Sequence, residues 1–395
     1  MSGSARRVAV VGVGVVAACG LGREAFWQGL FRQPAHGDVR SLEAWDPSPW
    51  FDSPKDARRS DRFSQFAIAA TAEAIAQAGE LEIDPARCGV MIGTGIGGIG
   101  TNEEQIVTRH DRGDRRVSPF LIPMMMPNAA AASVSMRHGF QGPCEAVVTA
   151  CAAGTHSIGN AINAIRYGRT DAMIAGGSEA PITPTALAGF RNMTAMSSSG
   201  MSMPFDVRRD GFVISEGAGI LILEEWEHAV ARGATILAEA LGSASTADAH
   251  HITAPAPGGM GAVRCMELAL EDADIAAADL VHINAHGTST PLNDAAEAHA
   301  IAKVFGEQSP VVTSTKGVTG HALGAAGALE AAAVVLAMQH RLIPPTLGLE
   351  QRDPELPGID IVTDPAGRPW EPGPAMSNSF GFGGHNGSVV LAPAP

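Results

Sequence analysis

The sequence lacks an apolar run long enough to cross a bilayer, although 45% of its 395 residues are hydrophobic. Residues 1–7 form a short polar lead without the apolar core and cleavage site of a signal peptide. Paired cysteine spacing is also missing, which argues against a disulfide framework and against a zinc site. The five cysteines are Cys19, Cys88, Cys144, Cys151 and Cys265. We therefore expect a soluble cytoplasmic protein with a large core and no membrane partner.

Basic residues are scarce, with 27 lysines and arginines against 41 acidic residues and a net charge of −14. Such a charge gives a nucleic-acid partner no global electrostatic support, so we expect none. One local exception is the segment that carries Arg58, Arg59 and Arg62. This cluster has two interpretations, a solvated helix face and a docking patch for an acidic partner.

Low-complexity tracts are absent too, and short β-branched runs alternate with segments of helical spacing along the whole chain. This alternation predicts an α/β protein with a layered sheet and crossover helices. The predicted strands are 8–16, 88–92, 147–149, 172–175, 220–223, 238–242, 281–285, 311–314 and 388–391. The predicted helices are 61–79, a helix that begins directly after Cys151, 261–272, 294–305 and 322–339.

Cys151 lies between the predicted strand 147–149 and a run of alanine, glycine and serine that lets a helix begin at once. A sulfur at a helix N-terminus faces unpaired N–H groups and the positive end of the helix dipole, which favours the thiolate. The alternative is a small buried apolar residue, as most free cysteines are. The local pattern thus makes Cys151 a candidate nucleophile.

Polar side chains follow three predicted strand ends in the second half of the chain, in the segments 284–290, 314–321 and 378–386. In open α/β sheets, sites assemble in the loops beyond the carboxyl ends of strands. We therefore expect two histidines and a lysine from these segments to converge on Cys151.

Four motifs together resemble the elongating β-ketoacyl-acyl-carrier-protein synthases, members of the thiolase fold, and the similarity runs essentially end to end. The motifs are Thr149-Ala150-Cys151, Asn284-Ala285-His286-Gly287-Thr288, the segment from Lys316 to His321, and Asn378-Ser379-Phe380-Gly381-Phe382-Gly383-Gly384. Four motifs in this order and spacing are very specific. The resemblance implies a thiolase-like α/β fold with two similar halves, 1–245 and 246–395, in a layered αβαβα sandwich.

The resemblance implies an acyltransferase that joins an acyl group on Cys151 to malonyl-acyl-carrier protein by decarboxylative Claisen condensation. The backbone N–H groups of Cys151 and Phe382 would stabilise the oxyanion of acyl transfer. His286 and His321, as neutral imidazoles, would present Nε2–H to the enolate left by decarboxylation. No metal or organic cofactor is expected, because the phosphopantetheine of the carrier protein holds both substrates.

Supporting roles also follow from the resemblance. Lys316 would order His321 and pair with Glu330 without moving a proton. Phe380 and Phe382 would form a gate in a loop that flanking glycines allow to swing.

Three further sets of residues match positions with known roles in the family. The phosphopantetheine arm would contact Thr253, Thr288 and Thr290. A structural monovalent cation would be held by Asn284, Glu330, Ser377 and Asn378. The acyl pocket, partly across a dimer interface, would be lined by Ile96, Leu121, Met125 and Phe190. The arginine cluster would dock the acyl carrier protein.

Two pathways remain open at this point. Fatty-acid elongation by a homodimer is the first interpretation. The segment 197–204 looks shortened, and three consecutive methionines, 124–126, are unusual. These departures favour the second interpretation, a type II polyketide or polyene ketosynthase paired with a cysteine-lacking chain-length subunit.

Three other classes fit the sequence less well. A degradative thiolase would need a second catalytic cysteine near its C-terminus, and no cysteine follows Cys265. A ketosynthase that starts from a coenzyme-A ester would have Asn in place of His321. A non-catalytic chain-length subunit would lack Cys151.

Overall fold

The computed structural model describes residues 6–395, so that residues 1–5 of the polar lead lie outside the described part. The strands are β1 (Val8–Ala17), β2 (Gly20–Leu21), β3 (Val39–Arg40), β4 (Cys88–Gly93), β5 (Cys144–Glu145), β6 (Ala172–Glu179), β7 (Ile214–Ser215), β8 (Gly217–Glu225), β9 (Ala238–Ala247), β10 (His282–Asn284), β11 (Val311–Thr313), β12 (Leu342–Ile343), β13 (Asp360–Ile361), β14 (Arg368–Pro369), β15 (Ala375–Gly381) and β16 (His385–Pro393).

Helices connect most of these strands. The α-helices are α1 (Arg23–Gly29), α2 (Pro54–Ala57), α3 (Arg62–Ala78), α4 (Ile99–Arg112), α5 (Leu121–Met125), α6 (Ala129–His138), α7 (Ala153–Arg166), α8 (Pro184–Asn192), α9 (Trp226–Ala231), α10 (Met260–Asp272), α11 (Pro291–Phe305), α12 (Lys316–Thr319) and α13 (Ala326–His340). Short 3₁₀ turns cover Ala150–Ala152, Leu323–Ala325 and Phe382–Gly384.

The ends of α3 show how the sequence sets helix limits. Asp61 caps the helix, because its side chain accepts the backbone N–H of Phe63 at 3.1 Å. Gly79 ends it with a φ of 74°, a conformation that glycine adopts without the steric cost of a side chain. The helix predicted over 61–79 is therefore confirmed.

The predicted strand 147–149 is wrong, whereas the other predicted strands are present. In this segment the carbonyl of Val147 accepts the backbone N–H of Thr94 at 3.1 Å, but no ladder continues from it. The chain then turns at Ala150, whose φ is 51°. The β-branched residues here belong to a segment that precedes Cys151 and is not paired as a strand.

Within the described residues, one mixed sheet runs in the order β13-β11-β10-β15-β16-β9-β1-β8-β6-β4-β5, with β2 beside β1. Each half of this sheet contains parallel and antiparallel pairs. The halves join at β1 and β9, where only Ala9 and Val10 are in register with Glu239 and Ala238. The boundary predicted between residues 245 and 246 lies inside β9, and the division into two halves stays a prediction.

Five layers result from the way the helices cover this sheet. Helices α7 and α13 lie between the two half-sheets and contact both, while α3 packs on the outer face of the first and α10 on that of the second. The alanine-rich residues 326–338 of α13 are all buried, because small side chains let two sheets approach one helix closely. The predicted αβαβα layering is confirmed.

One segment, Leu323–His340, is apolar and long enough to cross a membrane by length and composition, which corrects the expectation that the sequence has no such run. It consists of α13 and the 3₁₀ turn before it, and 89% of it is buried inside the fold. Its apolar character is accounted for by its place in the central layer.

Candidate active site

Cys151 lies in the 3₁₀ turn that leads directly into α7, so its sulfur is at the N-terminal end of a buried helix. The residue is 6% exposed. Ala150, directly before it, has a φ of 51°, a strained conformation for a residue with a side chain. On the opposite side Gly381 packs so closely that an added Cβ would lie 3.0 Å from the backbone nitrogen of Cys151. The sulfur is thus held between two tightly constrained segments.

Two histidines reach this sulfur from separate loops. His286 follows β10 and His321 follows α12, and both are at most 2% exposed. The Nε2 atom of His321 lies 3.1 Å from Sγ of Cys151, and the two imidazole centroids are 5.3 Å apart. One ligand-type atom from each of the three side chains lies within 4.8 Å of the others. The structure therefore brings together the three residues expected to carry the chemistry.

The histidines are uncharged. Burial and the nearby ammonium of Lys316 hold the pKa of His286 well below its usual value, and the same two causes act on the pKa of His321. The Lys316 Nζ lies 3.3 Å from Nδ1 of His286. Because an ammonium can only donate, Nδ1 is the acceptor and the ring proton of His286 is on Nε2.

Lys316 contacts His286 and not His321, which corrects the expectation that it orders His321. Its ammonium donates to the carbonyl oxygen of His286 at 2.7 Å and forms a buried ion pair with Glu330. Burial raises the pKa of Glu330, and the charge of Lys316 opposes that effect. The pair with Glu330 is present as predicted, and it fixes the ammonium beside His286.

Sequence reasoning missed two buried carboxylates on α11. Glu297 accepts the backbone N–H groups of His286 and Gly287, each at 2.7 Å. Asp294 accepts the N–H of Phe205 at 2.9 Å. Burial raises the pKa of Glu297 to about 7 and that of Asp294 to about 6. The sequence does place two acidic residues near the start of the helix that follows the His286 motif. Acidic residues are common at that position because they stabilise a helix N-terminus, so the pattern alone does not indicate a role in the site.

The effect expected of the helix N-terminus, which favours the thiolate, is opposed at Cys151 by burial. Burial raises the pKa of the Cys151 thiol to about 11, although a hydrogen bond from the backbone N–H of Phe382 and the charge of Lys316 act in the opposite direction. Desolvation dominates because the sulfur lies in an apolar cluster with Met196 and Phe212. The thiol is therefore the resting form.

Alkylation by iodoacetamide tests this assignment. The rate at Cys151 should rise about tenfold per pH unit from pH 7 to 10, because the thiolate fraction of a thiol with a pKa near 11 does so. Mass spectrometry of the peptide that contains Cys151 gives the rate, and the Cys151→Ala variant gives the background from the other cysteines. A plateau below pH 8 would instead show that the helix N-terminus lowers the pKa.

A cavity of about 360 Å³ leads from the surface to this site. Its lining includes Cys151, both histidines, and Phe380 and Phe382 of the glycine-rich loop. The ring of Phe380 lies 6.2 Å from that of His286. Gly383 and Gly384 follow with φ values of 82° and 72°, which only glycine adopts without strain. The predicted gate residues thus lie where the cavity meets the sulfur.

The three threonines predicted to hold the phosphopantetheine arm also line this cavity. Thr288 and Thr290 are hydrogen-bonded through their hydroxyl oxygens at 2.9 Å, and Thr253 lies on the loop beside them. All three predicted arm-binding residues thus line the same cavity as Cys151.

Comparison with known proteins agrees with this geometry. Residues 31–229 match the β-ketoacyl synthase N-terminal domain, and residues 237–350 match the β-ketoacyl synthase C-terminal domain. The chain belongs to the β-ketoacyl synthase family. The resemblance inferred from the four motifs is thereby confirmed.

Two relatives in this family illustrate the degree of sequence identity. The 3-oxoacyl-[acyl-carrier-protein] synthase 2 of Synechocystis sp. is 44% identical, over 98% of this chain and 97% of that protein. The enzyme of the same name from Staphylococcus aureus is 49% identical over 85% of each.

Solved structures of ketosynthases share the fold over nearly the whole chain. The ishigamide ketosynthase/chain length factor superposes with a TM-score of 0.92 at 32% identity, over 99% of this chain and all of that chain. A type II polyketide ketosynthase in complex with its acyl-carrier protein has a TM-score of 0.90 at 33% identity, with the same coverage.

The four residues predicted to line the acyl pocket, Ile96, Leu121, Met125 and Phe190, do not line this cavity. Phe190 packs against the apolar cluster of Cys151, with its ring 5.6 Å from that of Phe212, which in turn lies 5.2 Å from the ring of His321. Ile96 is 36% exposed, and Leu121 and Met125 are partly exposed on α5. Their exposure fits a pocket that a second subunit completes.

The four residues predicted to hold a monovalent cation lie on β10, β15 and α13: Asn284 is in register with Ser377, and its Nδ2 donates to the carbonyl of Glu330 at 3.2 Å. Asn284 Oδ1, Glu330 Oε2 and Ser377 Oγ are buried, and none has a hydrogen-bond partner in the described part of the chain. Asn378 differs, since its Oδ1 accepts the hydroxyl of Ser388 at 2.7 Å. Three unpaired buried oxygens fit a monovalent cation, which such ligands bind.

The arginine cluster is divided by the structure. Arg62 forms a two-point ion pair with the nearly buried Glu216, at 2.6 and 2.8 Å, and donates to the carbonyl of Leu42. Arg58 and Arg59 are exposed, with Arg59 stacked 4.2 Å above the ring of Phe120. Arg62 is thus held by Glu216 and Leu42 although its side chain stays 38% exposed, and Arg58 and Arg59 are the more exposed members of the candidate docking patch.

Proposed function

We propose that the chain is a condensing enzyme of fatty-acid elongation. It joins an acyl group on Cys151 to malonyl-acyl-carrier protein, with loss of carbon dioxide, to give a β-ketoacyl-carrier protein. The observation that carries the proposal is a buried sulfur 3.1 Å from one of two neutral histidines, at the end of a cavity. Relatives at 41–49% identity bear the name of this activity.

Acyl transfer comes first. The sulfur of Cys151 attacks the thioester carbonyl of the acyl-carrier protein, a new carbon–sulfur bond forms, and the bond to the pantetheine sulfur breaks. The thiol proton of Cys151 ends on the departing pantetheine sulfur. The N–H of Phe382 donates to the Cys151 sulfur, which supports its proposed role, with the N–H of Cys151, as a donor to the carbonyl oxygen when that oxygen becomes negative.

Decarboxylation follows once malonyl-carrier protein has entered the cavity. The bond between the malonyl carboxylate and its methylene carbon breaks, and the electron pair moves to the thioester oxygen as an enolate. The Nε2–H of His286, a tautomer that Lys316 fixes, and the neutral His321 donate to that oxygen. Because neutral histidines donate these hydrogen bonds, decarboxylation does not require either histidine to be protonated first.

Condensation completes the cycle. The enolate carbon attacks the acyl carbonyl on Cys151, a carbon–carbon bond forms, and the sulfur leaves as a thiolate that then takes a proton from water. No electron leaves the substrates in any of these steps, so we propose no redox or organic cofactor. A monovalent cation at Asn284, Glu330 and Ser377 would be coordinated by their unpaired buried oxygens, beside the Lys316 ion pair.

The proposed protein partner is acyl carrier protein, since a structural neighbour is a ketosynthase in complex with its carrier protein. We expect Arg58→Glu with Arg59→Glu to raise the KM for carrier-protein substrates about tenfold. Both side chains are exposed, and the substitutions replace attraction to an acidic partner by repulsion. The KM for a short pantetheine thioester should stay the same.

Steady-state kinetics at low and high salt measure this effect. The matched control, Arg32→Glu with Arg169→Glu, reverses the charge of two exposed arginines elsewhere on the surface. An equal rise in KM for both kinds of substrate, or the same rise in the control, would remove the docking role.

We further propose a homodimer that works in the cytoplasm. Strand β5 is an exposed sheet edge, which leaves backbone groups free to pair with another strand. Exposed apolar side chains lie in the same part of the sequence: Ile122 (59%), Met126 (39%), Met136 (77%) and Val148 (49%). Such a surface favours association with a second subunit.

A second candidate is the catalytic subunit of a type II polyketide synthase. Structural neighbours that include a ketosynthase with its chain-length factor favour it, at TM-scores of 0.86 to 0.92. Their identity to this chain, 27–32%, is below that of the fatty-acid relatives. A native complex that contains a second, cysteine-lacking subunit would support this candidate, and a complex of one chain type would support the first.

Reconstitution tests the proposed function. The purified chain, acyl-carrier protein charged with a short acyl group, and malonyl-carrier protein should yield a β-ketoacyl-carrier protein of the expected mass with release of carbon dioxide. Absence of this product from a folded protein with both substrates would contradict the proposal.

A further inference from the structure

Glu179 is a fully buried carboxylate at the end of β6 that the steps above do not use. It forms no ion pair within residues 6–395, and its oxygens accept four hydrogen bonds instead. The Oε1 atom accepts the hydroxyl of Thr94 at 2.8 Å and the N–H of Ile96 at 3.2 Å. The Oε2 atom accepts the N–H groups of Gly95 and Gly324, the latter at 3.0 Å.

These donors belong to two segments that are far apart in the sequence. Thr94 to Ile96 form the loop between β4 and α4. Gly324 lies three residues after His321, in the 3₁₀ turn that leads into α13. Glu179 thus ties a loop of the first half of the chain to the turn behind a histidine of the second.

Close packing makes this arrangement specific. An added Cβ at Gly95 would lie 2.8 Å from the carboxylate of Glu179, and one at Gly324 would lie 2.7 Å from it. A Cβ at Gly154, in the first turn of α7, would lie 2.9 Å from the carbonyl oxygen of Gly324. Three glycines therefore let three backbone segments meet at one carboxylate.

The turn that Glu179 holds is strained. Leu323 has a φ of 44°, which a residue with a side chain adopts only when its surroundings impose it. The same side chain lines the cavity and packs in the apolar cluster of Cys151. Since the backbone of His321 is already held by Val213, the bond from Gly324 acts mainly on Leu323.

We propose that Glu179 is a positioning residue for the condensation, because its carboxylate fixes the Leu323–Gly324 turn against the Thr94–Ile96 loop and so keeps the cavity wall between Cys151 and His321 in place. This inference rests on the proposed function. A carboxylate is required because each oxygen faces two donors. A glutamine would turn its amide hydrogens toward one of these pairs and leave buried N–H groups unpaired.

The test compares Glu179→Gln with Glu224→Gln. Glu224 is also fully buried, on the paired strand β8, but its partners are Arg232 and His228, and it does not line the cavity. We expect Glu179→Gln to lower kcat for malonyl decarboxylation at least about tenfold, with KM for malonyl-carrier protein within twofold. Acylation of Cys151 should fall less, since Glu179 forms no hydrogen bond to Cys151 or Phe382 and its negative charge raises the pKa of the Cys151 thiol, an effect that glutamine removes. Glu224→Gln should lower the melting temperature and keep kcat within twofold.

Two results would overturn the inference: a folded Glu179→Gln variant with unchanged decarboxylation, or equal losses of kcat in both variants. If Glu179→Gln does not fold, Thr94→Val and Thr94→Ser replace it. The valine variant removes one donor to Glu179 and should lower kcat several-fold, while the serine variant keeps the hydroxyl and the rate. Equal rates in these two would reject the proposal. A wild-type protein without condensation activity would reject the proposed function itself.

Discussion

Replacement of Cys151 by alanine is expected to abolish condensation, with a loss of at least about 10⁴-fold, because no other group can carry the acyl chain. The two histidines remain in place, so decarboxylation of malonyl-carrier protein should continue. The variant would therefore release carbon dioxide without a β-ketoacyl product. Radiolabelled malonyl substrate and mass spectrometry of the carrier protein measure the two outcomes separately.

Cys265→Ala is the matched control for this experiment. Cys265 is also buried, and burial likewise raises the pKa of its thiol to about 11, but it does not line the cavity. The control should condense at the wild-type rate. Condensation by Cys151→Ala at a rate near that of the wild type would contradict the assignment of the nucleophile.

Replacement of either histidine should have the second largest effect, on the other half of the reaction. His286→Ala or His321→Ala removes a donor aimed at the enolate oxygen, and loss of one such donor costs about 10²- to 10³-fold in rate. Acylation of Cys151 should fall much less, because its oxyanion is stabilised by backbone N–H groups. Rates of decarboxylation and of acyl-enzyme formation, measured in the same preparations, give this ratio.

His282→Leu serves as control, because His282 is also buried, lies on the same strand as the His286 motif and packs against Trp370. It should keep decarboxylation within about twofold. If the histidine variants slowed acylation more than decarboxylation, the assignment would be contradicted: the histidines would then act in acyl transfer and not in decarboxylation.

Much of the fold and the centre of the site follow from the sequence. β-Branched runs and period-3.6 patterns locate eight of the sixteen strands and five of the thirteen α-helices in the described residues, because burial on one face leaves a regular spacing of apolar residues. His286 and His321 could be placed near Cys151 because polar residues after successive strands meet at one edge of a sheet. These inferences need only local sequence and general rules of topology.

Other features depend on contacts between distant segments. The pairing of Arg62 with Glu216 spans 154 residues, and it gives a predicted docking residue a partner that the local sequence does not show. The pKa of Cys151 depends on how completely the apolar cluster covers the sulfur. The contact of Lys316 with His286 instead of His321 depends on the path of one side chain in the core. No local pattern carries this information.

Mass spectrometry of the protein after incubation with acyl-carrier protein, followed by malonyl-carrier protein, tests the central claim most directly. The account predicts that the acyl mass is added to the peptide that contains Cys151, and that this mass disappears when malonyl-carrier protein is supplied, as the β-ketoacyl product forms. An acyl group on another residue, or an acyl-Cys151 that persists in the presence of malonyl-carrier protein, would contradict it.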